Sequence, residues 1–125
     1  LKIYISGPIT AKNHEQEVMN RSMFYEVAER IEHMGMEPVN PCESDDQVKN
    51  KTWINYMRKD IPLLLECDEV WVIPNWYRSK GANLEILIAT LLEIPIYCAE
   101  TLKRIRLPFT YWFFDRSNIQ LGDER

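Results

Sequence analysis

Two carboxylates in this chain stand in apolar surroundings, which is where a carboxylate does chemistry rather than solvation. Glu85 is the one charged residue between Lys80 and Glu93, just past a Ser79-Lys80-Gly81 turn. Asp60 lies on the stripe Trp53, Met57, Asp60, Leu64, spaced i, i+4, i+7, i+11, one face of a helix. Cleavage of a glycosidic bond needs two such groups, one to attack or stabilise the cationic anomeric carbon and one to assist the leaving group. Tyr4 and Ser79 are polar residues that a parallel sheet would bring to the same edge. The Ser-Lys-Gly turn at a helix amino end could hold a phosphate through its amides, its hydroxyl and the helix dipole. Each residue also has a plainer reading: Glu85 as a carboxylate placed for the dipole, Asp60 as an N-cap for a segment starting at Ile61, Tyr4 as a core aromatic and Ser79 as a helix cap.

The elements that would position these groups follow from periodicity. Lys2 to Ser6 is β-branched or aromatic at Ile3, Tyr4 and Ile5 and is stopped by Gly7-Pro8, so a first strand is expected there. Ser6 and Gly7 then fall in the turn where an α/β fold meets a ligand. From His14 to Met34 the pattern is helical, with Phe24, Val27, Ala28 and Ile31 on the buried stripe, Glu17, Arg21, Glu29 and Arg30 toward solvent, and Gly35 as a left-handed terminator. Met36 to Val39 predicts a second strand. Residues 42 to 51 are polar without period and predict either a mobile loop over the site or a solvated connection. Thr52 caps the Asp60 helix, and Pro62 is expected to kink it or to start a new one. An apolar run from Trp71 to Pro74 predicts a third strand and Asn75 to Gly81 a loop; Leu84, Leu87, Ile88 and Leu91 share one side of the next helix, and Ile94 to Ala99 is a fourth strand. Alternating strands and helices predict a parallel sheet with helices on both faces. The aromatic group Phe109, Tyr111, Trp112, Phe113 and Phe114 is expected either to add a fifth strand or to bury itself against a partner subunit.

Composition narrows the classes. The 125 residues suit one domain, residues 1 to 125, with a tail from about 101 that could serve oligomerisation. The apolar runs fall far short of the roughly 20 residues that cross a bilayer, so no membrane is expected. With no leader before the first strand, a cytoplasmic location is expected. A net charge of −4 without a basic cluster disfavours duplex nucleic acid. Three cysteines, Cys42, Cys67 and Cys98, with no Cys-x-x-Cys pair, predict reduced thiols and no zinc site. His14 and His33 read as surface residues, so no metal and no cofactor are expected. There is no Gly-x-x-x-x-Gly-Lys-Ser/Thr loop, no Gly-x-Gly-x-x-Gly, and no Asp at the end of the third strand for a response-regulator phosphoacceptor.

Lys2-Ile-Tyr-Ile-Ser-Gly-Pro-Ile-Thr, the Asp60 helix, Asp68-Glu-Val-Trp-Val-Ile and Ser79-Lys-Gly-Ala-Asn-Leu-Glu85 together resemble the nucleoside 2-deoxyribosyltransferase superfamily over about the first hundred residues. The opening and the Trp-x-x-Ser-Lys-Gly-x-x-x-Glu pattern starting at Trp76 are similar to a group of small phage and bacterial proteins. The resemblance implies a flavodoxin-like three-layer sandwich around a central parallel sheet of four to five strands, and a homodimer or larger homo-oligomer. It implies Glu85 as the nucleophile at the sugar C1′, Asp60 as the acid contacting the departing base and Tyr4 as the hydroxyl that orients the nucleophile. Ser6, Gly7, Ser79, Gly81 and Trp76 would then bind substrate. Ser79 stands where the transferases carry a sugar-binding aspartate and the related 2′-deoxynucleoside 5′-phosphate N-hydrolases a phosphate-binding serine, which implies a nucleotide monophosphate with water as acceptor. Ser117 or Thr110 would complete a phosphate site from a neighbouring subunit. Transfer of deoxyribose between bases, and a non-catalytic nucleotide-binding module, remain alternatives.

Overall fold

The structure is a computed structural model and describes residues 1–112. Five strands, β1 (Lys2–Ser6), β2 (Glu37–Val39), β3 (Glu69–Val72), β4 (Ile96–Cys98) and β5 (Arg104–Ile105), form one sheet in the order β2-β1-β3-β4-β5. The pairs β1/β2, β1/β3 and β3/β4 are parallel, and β4/β5 is antiparallel. This is the strand order of flavodoxin-type doubly wound sheets with a reversed fifth strand, so the expected fold is the fold observed. The fifth strand is Arg104–Ile105, ahead of the aromatic group rather than within it.

Strand side chains alternate between faces, and the core divides accordingly. Ile3, Ile5, Trp71 and Ile73 pack with Phe24, Val27, Ala28 and Ile31 of α1 (His14–His33) on one face. On the other, Tyr4, Val70, Val72 and Ile96 pack with Leu64 of α2 (Trp53–Leu65) and with Ile86 and Ala89 of α3 (Lys80–Leu91). Chain order between strands therefore puts one helix on the first face and two on the second. Asn13 caps α1 by accepting from Glu15 and Gln16, and Gly35 follows its end at a φ of 81°, which glycine adopts without steric cost.

Three expectations are corrected. Helix α2 runs unbroken through Pro62 from its Thr52 cap, so Asp60 is mid-helix and not an N-cap. Residues 41–47 form a short 3₁₀ helix (Pro41–Gln47) that buries Cys42 and Asp45, so the first part of the segment expected to be aperiodic is helical, while Lys49, Asn50 and Lys51 after it are exposed as a solvated connection would be. In α3 the buried side is Ala82, Glu85, Ile86 and Ala89, whereas Leu84, Leu87 and Ile88 are only partly covered and Leu91 is exposed. The side of α3 turned to the sheet is thus set by Ile86 and Glu85 with two alanines, and the leucines fall at its margin.

Gly7 stands where the chain leaves β1. A Cβ added to it would lie 2.8 Å from Ile73 Cβ, an atom too near the backbone to swing aside. Gly7→Ala should therefore cost about 1–3 kcal/mol through overpacking and lower the thermal midpoint by several degrees; an unchanged melting curve would remove this packing role.

Candidate active site

In a sheet of this order, ligands bind beyond the carboxyl ends of the strands where the winding reverses, between β1 and β3. Tyr4 and Ser6, two positions apart on β1, point to the same face. In register they pair with Val70 and Val72 of β3. The next layer outward on that face is α3, whose buried side carries Glu85.

The three side chains meet. The Tyr4 hydroxyl donates to Glu85 Oε2, and Ser6 Oγ donates to Oε1 at 2.8 Å. Tyr4 and Ser6 are fully buried and Glu85 is 5% exposed. Removing a carboxylate from water is costly, and hydrogen bonds to a charged acceptor, worth about 1.5–3 kcal/mol each, offset that cost. Both hydroxyls also fix the plane of the carboxylate. An anion held in one orientation and stripped of water is a competent nucleophile toward an electrophilic carbon.

Asp60 is 1% exposed and shares the buried side of α2 with Tyr56, Met57 and Leu64. Leu64, one turn further on, packs in the cluster that holds Tyr4. Lys59 Nζ lies 2.7 Å from Asp60 Oδ1 and 2.9 Å from Asp45 Oδ1; Arg21 Nη1 donates to Asp45 Oδ2 at 2.8 Å. Burial alone would lower the Arg21 guanidinium, but its hydrogen bond to Asp45 and the negative field of Cys42, Asp45 and Glu17 raise it above its ordinary value. Arg21 thus faces a buried carboxylate rather than solvent, against expectation.

Ser79 is buried and caps α3, its Oγ accepting from Ala82 N at 3.1 Å. Gly81 lies within the first turn of that helix rather than in the loop. Arg78 and Lys80 flank the cap, and the Lys80 ammonium sits 4.1 Å from the Trp53 ring centroid, joining the amino ends of α2 and α3 by a cation–π contact. Trp76 is half-buried and packs against Tyr77 and Tyr111, with Trp112 closing the same cluster. Phe113, Phe114 and Ser117 lie outside the described residues, as does the side chain of Thr110.

Other chemistries find little here. Burial pushes the Cys67 thiol up to about 11, which keeps it protonated and unreactive. His14 and His33 are exposed on α1. Among the described residues no cluster of three His, Cys, Asp or Glu side chains could hold a metal ion, and no helix is long and apolar enough to cross a membrane.

Sequence reasoning named Glu85, Tyr4, Ser6 and Asp60 but missed Asp45, Lys59 and Arg21. A buried aspartate in a polar, aperiodic stretch leaves no periodic signal, and its partners stand 14 and 24 positions away.

A family model described as a domain of unknown function (DUF4406) matches residues 1–98. Comparison with curated proteins finds no match. Among solved structures, a 2-deoxyribosyltransferase from Bacillus psychrosaccharolyticus is similar with a TM-score of 0.58 at 12% identity, covering 97% of each chain. A conserved protein from Enterococcus faecalis V583 is similar with a TM-score of 0.58 at 17% identity, covering 78% of this chain and 61% of the other. At these identities the likeness is one of fold.

Proposed function

The chain belongs to the DUF4406 family, and from that premise we propose that it is an N-glycosidase: it hydrolyses the base–sugar bond of a (deoxy)nucleoside 5′-monophosphate, with Glu85 as nucleophile. The observation that carries the reading is the buried Glu85 carboxylate held by two hydroxyls from β1, at the switch point of a sheet shared with a 2-deoxyribosyltransferase.

In the proposed first step a Glu85 oxygen bonds to C1′, the C1′–N bond breaks, and its electron pair leaves with the base. Water then attacks C1′, the C1′–O bond to Glu85 breaks and its electron pair returns to the carboxylate; the water gives a proton up to solvent, the departed base takes one from solvent, and the sugar phosphate leaves with net retention. Tyr4 and Ser6 stay hydrogen-bonded to the carboxylate and set the attacking lone pair. Ser79, Gly81 and the adjoining Arg78 and Lys80 supply a hydroxyl, helix-end amides and positive charge for the phosphate. Trp76 offers an aromatic face for the base.

The test is release of free base from a panel of deoxynucleotides and ribonucleotides, with a second free base added to some reactions. Release without exchange supports the hydrolase; exchange of bases assigns a deoxyribosyltransferase, the activity of the structurally similar Bacillus psychrosaccharolyticus enzyme. Binding without release assigns a nucleotide-binding module.

A further inference from the structure

Asparagine is an indifferent helix former whose side chain competes for backbone groups, so a buried one inside a helix needs a reason. Asn83 stands at the end of the first turn of α3 and is 8% exposed. Its side-chain amide carries two hydrogens, and Nδ2 donates to the Tyr77 carbonyl oxygen at 2.9 Å and to that of Ser79 at 2.7 Å. The Ser79 carbonyl also accepts from the Asn83 backbone N–H at 3.0 Å, an ordinary helix bond. The Tyr77 carbonyl is different: it lies before the helix, in the 3₁₀ turn Trp76–Arg78, and Asn83 reaches past the cap to meet it.

That turn is the middle of the connection from β3 to α3, which leaves the carboxyl end of the sheet where β1 and β3 lie side by side, the edge at which such sheets take their ligands. Asn75 opens it at a φ of 70°, a left-handed conformation that asparagine tolerates, and Asn75 Oδ1 accepts from the Tyr77 hydroxyl at 3.2 Å. Arg78 N–H donates to the Asn75 carbonyl at 3.1 Å and Ser79 N–H to that of Trp76 at 2.9 Å. These bonds shape the turn but are internal to it. The Asn83 amide instead ties its middle residue to α3, two positions before Glu85. Trp76, on the same turn, packs at the edge of the cluster that holds Tyr4, Val72 and Ile86.

We propose that Asn83 is a positioning residue: it fastens the 75–79 connection to the helix that carries Glu85 and so fixes the binding wall of the site. The Glu85 carboxylate is held separately, by Tyr4 and Ser6 of β1. This rests on the glycosidase reading, which puts substrate contacts on the connection, and deepens it by dividing the site into a wall that binds, set from α3, and a nucleophile that reacts, set from β1.

The experiment compares the wild type with Asn83→Ala and Asn83→Ser, using deoxyadenosine, deoxyguanosine, deoxycytidine and thymidine 5′-monophosphates as substrates. A serine at this place can still bond the carbonyl four residues back, that of Ser79, but does not span to Tyr77. Both variants should raise KM by about tenfold, the loss of one or two hydrogen bonds, while kcat stays within about twofold, the mark of binding lost equally from ground and transition states. An unchanged KM in Asn83→Ala, a fall in kcat as large as the rise in KM, or a wild-type KM in Asn83→Ser overturns the proposal; the last result would leave Asn83 serving the helix alone. A second reading does not depend on turnover. Without nucleotide, hydrogen exchange at the amides of residues 76–79 should quicken by about tenfold or more in both variants, with that of β1 unchanged, and equal exchange in wild type and variants overturns the proposal. If the wild type cleaves no nucleotide, the glycosidase reading fails, and exchange alone decides the part assigned to Asn83.

Discussion

Glu85→Gln is expected to abolish base release, with kcat falling on the order of 10⁴-fold or more, as loss of a nucleophile does in other covalent mechanisms. Glutamine keeps the size of the side chain and one acceptor oxygen. The hydroxyls of Tyr4 and Ser6, which now donate to both carboxylate oxygens, can rotate so that one of them accepts from the new amide. The change also removes a buried charge. Stability should therefore stay within about 1 kcal/mol of wild type or rise slightly, so that lost activity is not lost folding. The check is kcat by chromatography of the free base, beside a thermal denaturation curve. A variant that releases base at the wild-type rate would leave Glu85 as a structural carboxylate.

Tyr4→Phe isolates orientation from attack. Phenylalanine fills the same site between Val39 and Val70 in the row set by the β2 and β3 registers, and only the hydroxyl goes. Glu85 keeps Ser6 but loses the donor on Oε2. A hydrogen bond to a charged group is worth about 1.5–3 kcal/mol, which corresponds to about 10- to 160-fold in kcat when it is lost at the transition state. KM should change little, because the tyrosine hydroxyl is spent on the nucleophile. A rise in KM at constant kcat would instead make Tyr4 a direct substrate contact.

Much of this architecture is legible in the sequence because its signals are local. The α1 stripe Phe24, Val27, Ala28, Ile31 is the buried set of that helix, and alternation in β1 places Tyr4 and Ser6 on one face. Helix α3 is harder: it is apolar nearly all round, so the eye settles on its largest residues, Leu84, Leu87, Ile88 and Leu91. The sheet instead accepts Ala82, Ile86 and Ala89, and Glu85 is buried with them where Tyr4 and Ser6 donate to its carboxylate. No pattern within α3 reveals partners about 80 residues earlier, at separations of 81 and 79. The same holds for Lys59 and Asp45, whose pairing depends on a 3₁₀ turn in a stretch without periodicity. The two-residue β5 is too short for any periodic signal.

Asp60 shows that a match of position leaves a carboxylate's protonation state open. The resemblance implies an acid for the departing base, and the structure pairs the group with an ammonium at 2.7 Å, a partner that stabilises a charged carboxylate. Residue type and place thus transfer more readily than protonation state, which the neighbours decide.

The most direct trial of the account is intact-protein mass measurement after mixing with a slow 2-fluoro-2-deoxynucleotide 5′-monophosphate, followed by peptide mapping. A gain equal to one glycosyl phosphate, located on Glu85 and absent in Glu85→Gln, is the predicted result. Free base released from ordinary nucleotides with no adduct on Glu85 under any trapping condition, or an adduct on another residue, would contradict it.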